Sequence, residues 1–237
     1  MKIKTLIIST FLPLAATAII FASCAKNSNY VRGDARVRVF QASVLDTTQN
    51  FLLDSVAFGN ATVYGSNSSY IVVEGYDDER QNLHSLVSRS INATTNLAVL
   101  RDQQFNIGRN YSVFLTRETP TSTPKLISYL DTVSIDPQVA KLVFINLGYT
   151  LESRVLIKDE GKGFDDFNLG YGGRVTKNIK VNKATKISFA LVNPIAAAPV
   201  VAAIDSSTIS KGRVYTVLID GTKLKYLQKR LVDSSNQ

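Results

Sequence analysis

The most reactive side chain in this sequence is the thiol of Cys24, the only cysteine among 237 residues. It ends an apolar run from Leu6 to Phe21, which Lys2 and Lys4 precede and two small residues follow. That layout is typical of an export signal, and the run is interrupted by Pro13 and short for a membrane span. Because no second cysteine is available for a disulfide, the exported domains must be held together by their apolar cores.

The segment Phe21-Ala22-Ser23-Cys24 resembles the lipobox of bacterial lipoproteins. The resemblance implies that residues 1–23 are removed as a signal peptide and that the new N-terminal Cys24 is acylated. An ordinary secretory signal with an incidental cysteine is the alternative. The expected product is anchored to the membrane by its lipid, in the cell envelope and at the outer membrane of a Gram-negative bacterium, with residues 24–34 as a polar tether.

Few other residues could carry chemistry. His84 is the only histidine. It could complete a Ser-His-Asp arrangement, but no nucleophile-elbow sequence accompanies it, and a zinc site would lack further nitrogen and sulfur ligands. We therefore expect no catalytic residue, no metal and no cofactor.

Acidic residues form three short groups that could bind calcium or act as paired carboxylates. These groups are Asp77-Asp78-Glu79, Asp165-Asp166 and the loop Asp159-Glu160-Gly161-Lys162-Gly163. The loop lacks the alternating oxygen ligands of a calcium site, and acidic residues beside glycine are usually turns.

Charge excludes one class of partner. The formal charge is +8, from 27 basic and 19 acidic residues, and it falls to +6 when Lys2 and Lys4 leave with the signal. The basic residues are spread along the chain, so we expect no nucleic-acid partner. The densest run, Lys177, Lys180, Lys183 and Lys186, predicts a solvated edge strand.

Three short motifs resemble an acceptor pattern for O-glycosylation of exported proteins in some Gram-negative bacteria, a pattern that also arises by chance. They are Asp46-Thr47-Thr48, Asp54-Ser55-Val56 and Asp131-Thr132-Val133.

The sequence contains a two-fold internal repeat. Residues 108–115 and 212–219 both read Gly-Arg-x-Tyr-Ser/Thr-Val followed by two apolar residues, and residues 35–41 parallel residues 140–146 at nearly the same offset. In the first repeat Ala35, Val37 and Val39 alternate with arginines, which predicts a strand with one apolar and one charged face. Gly108 and Gly212 suit turns that need a positive φ.

These patterns predict an all-β chain with two tandem immunoglobulin-like β-sandwich domains. We place the first domain at residues 35–136 and the second at residues 138–231. The boundary is at Pro137, and residues 232–237 form a frayed tail. Further predicted strands cover residues 69–74, 82–91, 97–101, 125–131, 154–158, 186–192, 200–204 and 223–231.

The opening strand, residues 35–43, resembles the start of the tandem domain of unknown function (DUF) 4397 family of exported bacterial proteins. Ala57-Phe58-Gly59 is similar to the aromatic-Gly segment of that family, with Leu169-Gly170 as a weaker counterpart, and residues 212–222 are similar to its closing strand and turn. The usual proline-containing turn is replaced by Val44-Leu45-Asp46. The resemblance implies β-sandwich lipoproteins and no agreed activity.

The function favoured by these features is that of a non-catalytic envelope lipoprotein that binds a glycan or a protein partner. A structural spacer or assembly subunit and a carboxylate-based glycoside hydrolase are the alternatives. The segment from Tyr64 to Tyr70, with Tyr76 further on, is the candidate binding surface, because tyrosine offers an apolar face and a hydroxyl. The alternative is that Tyr64 and Tyr70 pack inside the sandwich.

Overall fold

The structure is a computed structural model that describes residues 33–77, 81–131, 136–195 and 199–235. The described residues from Asp34 onward form one compact unit. The predicted signal peptide, Cys24 and nearly all of the predicted tether lie outside the described residues. So do Asp78 and Glu79 of the first acidic group, and Thr132 and Val133 of the third acceptor motif.

The described residues are almost entirely β, as predicted. The first repeat contributes β1 Asp34–Gln41, β2 Gln49–Leu53, β3 Val56–Ala57, β4 Ile71–Glu74, β5 Leu83–Ser90, β6 Ala98–Gln104, β7 Asn110–Thr116 and β8 Lys125–Leu130. The second repeat contributes β9 Ala140–Asn146, β10 Val155–Asp159, β11 Phe167–Leu169, β12 Arg174–Ile179, β13 Lys186–Leu191, β14 Ile204–Asp205, β15 Val214–Gly221 and β16 Leu227–Asp233. Among these residues the only helical element is a 3-10 turn over Ser206–Thr208, and no helix has the length and apolar character to cross a membrane.

Each repeat forms two four-stranded sheets, and the second repeat reproduces the first strand for strand. Sheet I has the order β4-β1-β7-β8 and sheet II the order β3-β2-β5-β6. Sheet III has the order β12-β9-β15-β16 and sheet IV the order β11-β10-β13-β14. The pairs β1/β7 and β9/β15 are parallel. The chain therefore has the predicted sandwich architecture, with four strands facing four, where an immunoglobulin constant-type domain has four facing three.

The repeat alignment read from the sequence is reproduced in the strand registers. Val37 lies opposite Tyr111, and Leu142 lies opposite Tyr215. Both tyrosines are buried, and each hydroxyl accepts a hydrogen bond from the backbone N–H five residues earlier, at 3.0 Å in the first repeat and 2.9 Å in the second. A tyrosine bonded to the backbone just upstream is the tyrosine corner of many β-sandwiches.

Gly108 and Gly212 lie in the turns that lead into β7 and β15. Their φ angles are 69° and 72°. The left-handed conformation that glycine adopts without steric cost is therefore used at both positions, as predicted.

Each sandwich encloses its own apolar core. The inward residues Ala35, Val37 and Val39 of β1 pack between sheets I and II with Phe51 and other residues of that repeat. The corresponding core of the second repeat lies between sheets III and IV around Phe144. The alternation in β1 therefore predicts its core face correctly.

A third apolar cluster joins the two repeats, and we call it the junction. It is formed by the opposite faces of sheets I and III, where Phe40 and Phe114 belong to one apolar cluster with Val143, Ile145 and Leu218. The Phe40 and Phe114 rings stack with centroids 4.5 Å apart. The sheets thus lie in the order II, I, III, IV, and β7 and β15 are buried along their whole length.

The predicted charged face of β1 lies at the edge of this junction. Arg38 is only 3% exposed. Its Nε donates to Ser112 Oγ at 2.8 Å, its Nη2 donates to Ser234 Oγ at 2.5 Å, and it lies 3.9 Å from the Asp131 carboxylate. A buried guanidinium requires such partners because desolvation of an unpaired charge is costly.

Several element boundaries differ from the sequence predictions. The strand expected at residues 200–204 is reduced to β14, and Val200 is 97% exposed. The last strand starts at Leu227 because a turn with a backbone hydrogen bond from Lys225 to Thr222 precedes it. The sequence patterns do not predict four of the strands, β2, β3, β11 and β12. Of the lysine run that predicts an edge strand, only Lys177 lies in the edge strand β12.

The predicted frayed tail is wrong for its first four residues. Val232 and Asp233 belong to β16. Ser234 is 1% exposed, because its hydroxyl bonds Arg38 and lies 2.7 Å from Thr216 Oγ1. Ser234, which follows β16, is therefore held in place by hydrogen bonds at the edge of the junction.

Candidate functional site

A cleft of about 670 Å³ opens beside the junction, between loops of both repeats. The first repeat contributes the β7–β8 loop, and the second contributes the β9–β10 loop, the β11–β12 turn and the segment after β13. The side chains that define the cleft are Glu118, Thr119, Pro120, Tyr149, Glu152, Ser153, Arg154, Tyr171, Val192 and Asn193. Its volume lies within the range of small-molecule sites in proteins.

Two tyrosines form the floor of the cleft. Tyr149 is 5% exposed and crosses to the first repeat, where its hydroxyl lies 3.1 Å from Ser43 Oγ and accepts the N–H of Leu45 at 3.1 Å. Tyr171 is partly buried and packs against the junction. Burial raises the pKa of both phenols, so both rings remain neutral.

One wall of the cleft is fixed by a forked ion pair within the first repeat. Arg117 donates to Asp46 from Nε at 3.0 Å and from Nη2 at 2.5 Å, and its Nη1 donates to the carbonyl oxygen of Ser122 at 2.6 Å. Asp46 also accepts from the Ser43 hydroxyl, which contacts Tyr149. The β7–β8 loop and the floor of the cleft therefore belong to one hydrogen-bonded network.

The opposite wall is built from two neighbouring loops of the second repeat. The N–H of Val192 donates to the carbonyl oxygen of Arg154 at 2.9 Å, and the N–H of Asn193 donates to Ser153 Oγ at 3.0 Å. Glu152 is the first residue of this wall, and its backbone has a left-handed conformation with a φ of 52°. The backbone of the wall is thus held while the side chains of Glu152, Arg154 and Asn193 stay exposed.

The two carboxylates of the cleft both have lysine partners. Glu118 is paired with Lys125, and Glu152 lies 2.6 Å from Lys225. The hydrogen bond from Lys125 lowers the pKa of the Glu118 carboxyl. Glu118 is therefore ionised in neutral solution.

The repeat provides an internal comparison for the cleft. Gly65 and Gly172 follow Tyr64 and Tyr171, and each glycine donates its backbone N–H to the residue that ends the first strand of its repeat. Tyr64 and Tyr171 therefore occupy equivalent positions. On the Tyr64 side the space is filled: its hydroxyl donates to the carbonyl oxygen of Gly221 at 2.9 Å, and Arg230 lies over its ring at 5.6 Å.

The predicted binding tyrosines lie away from the cleft. Tyr64 and Tyr70 are partly buried at the edge of the junction, and neither belongs to a sandwich core. The Tyr70 hydroxyl donates to Asp131 at 2.5 Å, and Arg38 lies 4.6 Å from its ring centroid. Tyr76 forms an isolated backbone bridge with Asn106. The structure does not bring the three tyrosines into one exposed platform.

His84 is held in a structural position. Its Nδ1 lies 2.6 Å from Asp54 Oδ2, and its Nε2 lies 2.8 Å from the carbonyl oxygen of Glu74. Both ring nitrogens are thus engaged, and neither is available to a serine hydroxyl as a base.

The acidic groups of the described residues do not assemble a metal site. The Asp159 carboxylate accepts the N–H of Gly161 at 3.0 Å and that of Gly163 at 2.7 Å, so this loop is a turn closed by its own aspartate. Asp166 is paired with Lys158 at 3.3 Å. Within the described residues no three His, Cys, Asp or Glu side chains are grouped as metal ligands.

The sequence patterns do not identify the two cleft tyrosines, Tyr149 and Tyr171. One signal was available: the Tyr-Gly pair at Tyr64-Gly65 recurs at Tyr171-Gly172. Tyr149 has no such signal, because its role depends on contacts with Ser43 and Leu45, more than a hundred residues earlier.

Comparisons with solved structures found distant likenesses. No protein-family model and no curated protein matches the chain, so membership of the DUF4397 family stays a prediction. Among solved structures, a family CBM26 module, CBMbc from Eubacterium rectale Amy13K in complex with maltoheptaose, is 11% identical, with a TM-score of 0.25 over 86% of this chain and 98% of that chain. A putative cell adhesion protein from Bacteroides uniformis is 12% identical, with a TM-score of 0.23 over 88% of this chain and 99% of that chain. Neither is close enough to assign a ligand.

Proposed function

We propose that this chain is a non-catalytic, lipid-anchored binding protein of the cell envelope whose cleft between the repeats binds a glycan. The observation that carries the proposal is the cleft itself. A partly exposed tyrosine stands on its floor, and a carboxylate, a guanidinium and a carboxamide extend from its walls. The backbone that supports these groups is held by hydrogen bonds on both sides of the cleft.

This combination suits a sugar ring. A pyranose presents C–H groups on its faces, which pack on an aromatic ring, and hydroxyls around its edge, which bond polar side chains. Tyr171 supplies the ring, and Glu152, Arg154 and Asn193 supply charged or planar polar groups. Rigid walls lower the entropy cost of binding.

The hydrolase alternative requires a carboxylic acid that remains protonated near neutral pH. Glu118 does not meet that requirement, because the hydrogen bond from Lys125 lowers the pKa of its carboxyl. Glu152 is exposed and paired with Lys225. The two carboxylates of the cleft are therefore suited to accept hydrogen bonds from sugar hydroxyls.

Binding should be tested on a panel of neutral and acidic polysaccharides by affinity electrophoresis and calorimetry. Glu152→Gln and Asn193→Ala should each weaken binding several-fold without changing the melting temperature, because both side chains are exposed. Glu160→Gln is the matched control, since Glu160 is also exposed and paired with a lysine, Lys186, at 3.0 Å. Binding to no polysaccharide, or equal loss in all three variants, would contradict the proposal and favour the spacer.

The anchor is tested separately. Cys24→Ser should release the protein from the membrane fraction or leave the precursor uncleaved, because acylation requires the thiol. Processing and membrane partition like those of the wild type would show that Cys24 is incidental. Fractionation of inner and outer membranes then tests the proposed outer-membrane location.

A further inference from the structure

We infer that the cleft selects an anionic glycan, one whose sugar ring carries a carboxylate or a sulfate group, and that Arg154 binds that group. The inference rests on the proposed function and adds the chemical class of the ligand. It follows from how the charges around the cleft are paired.

The carboxylates of the cleft are neutralised by neighbours. Lys125 pairs with Glu118 and Lys225 pairs with Glu152. Arg154 adds a fifth charge to these four. The cleft and its two ion pairs therefore carry one net positive charge, on a chain whose overall charge is also positive.

Arg154 is the charge left without a partner. Its backbone carbonyl accepts the N–H of Val192, but its guanidinium makes no hydrogen bond or ion pair with any described residue. The base of its side chain lies beside Gly170, where an added Cβ would be 3.9 Å from Arg154 Cγ. The stem is thus close to the β11–β12 turn, next to Tyr171.

At the equivalent position on the other side of the junction, the arginine beside the tyrosine has an acidic partner within the protein. There Arg230 is paired with Asp220, which is 1% exposed, and the guanidinium lies over Tyr64. Near Tyr171 no such acid faces Arg154 among the described residues. A ligand would supply the missing anion.

A guanidinium is well suited to that ligand. Its planar fork matches the two oxygens of a carboxylate or of a sulfate ester in a bidentate hydrogen bond. Lys125 is paired with Glu118, and its Nζ lies over the Tyr171 ring, 5.9 Å from the centroid, so the positive end of that ion pair is also close to the ligand position. The predicted ligand therefore stacks on Tyr171 and presents its anionic group to Arg154.

The test uses the full-length lipoprotein in detergent micelles, titrated with polygalacturonate, dextran sulfate and neutral dextran. Arg154→Gln should weaken binding of the acidic polymer at least tenfold and flatten its salt dependence. Arg101→Gln is the matched control, because Arg101 is exposed on β6, away from the cleft. It should leave binding unchanged. Polygalacturonate and dextran sulfate separate a carboxylate ligand from a sulfate ligand, and Arg154-dependent binding of either supports the inference.

Two results would overturn the inference while leaving the glycan cleft intact. One is equal affinity for dextran and the acidic polymers with no effect of Arg154→Gln. The other is equal weakening by Arg154→Gln and Arg101→Gln, which would show attraction to overall charge only. Failure to bind any of the polymers, and any polysaccharide of the wider panel, would instead overturn the proposed function.

Discussion

Tyr64 and Tyr171 occupy equivalent positions in the two repeats, but their hydroxyls differ in hydrogen bonding. The Tyr64 hydroxyl donates to Gly221 and lies 3.1 Å from Gln228 Oε1, whereas the buried Tyr171 hydroxyl lies near the Thr116 side chain without a hydrogen bond of regular geometry among the described residues. Tyr64→Phe should therefore lower the free energy of unfolding by about 1 kcal/mol, and Tyr171→Phe should leave it unchanged or raise it. Urea denaturation of both variants measures the difference. Equal losses would show that Tyr171 has a partner in solution.

Asp131 is a buried acid at the polar edge of the junction. Desolvation raises the pKa of its carboxyl above the ordinary value of about 3.8, against the lowering effect of Arg38. The folded state therefore holds this proton more tightly than the unfolded state. The stability that Asp131 contributes relative to Asp131→Asn should be largest at acid pH and should fall as the pH rises from about 3.8 through the folded pKa. Urea titrations of both proteins between about pH 3 and 7 measure that difference; a difference that grows with pH would show that the pairing with Arg38 dominates.

Among the elements, the β7–β8 loop depends on one ion pair. Arg117→Lys keeps the charge but loses the fork to Asp46, so we expect a loss of about 1.5–3 kcal/mol in unfolding free energy and weaker binding in the cleft. Arg213→Lys is the control, because its pair with Asp233 is exposed and should be worth less than about 1 kcal/mol. Equal effects of the two variants on stability and binding would show that the ion pair between Arg117 and Asp46 does not hold the cleft wall in place.

The elements also show what a sequence pattern can and cannot predict. The β architecture, the repeat and the core face of β1 follow from alternation and from the recurring Gly-Arg-x-Tyr motif. The junction does not follow from the sequence pattern, because Phe114 merely interrupts the alternation of its strand and Arg38 has the charge of a solvent-facing residue. The burial of Arg38 depends on Ser234, almost two hundred residues later. The cleft was missed for the same reason, because its floor is set by contacts between repeats.

At the scale of the whole molecule, the junction should make the two sandwiches unfold together. Unfolding of either repeat breaks the contacts between the two, including the hydrogen bond from Arg38 to Ser234, and exposes the apolar junction surface of the other. We expect a single transition in scanning calorimetry for the chain without its first 24 residues, with equal calorimetric and van't Hoff enthalpies. Two separated transitions would show that the repeats are independent domains.

The complete burial of β7 and β15 has a consequence for local opening. Both strands have neighbours on either edge and packed sheets on either face, so their amide protons reach solvent only when the stack comes apart. In deuterated water the slowest exchange should therefore follow these two strands, at a rate set by global unfolding. The edge strands β3 and β14 should exchange first. The most persistent part of the molecule would then be the seam where its two halves meet.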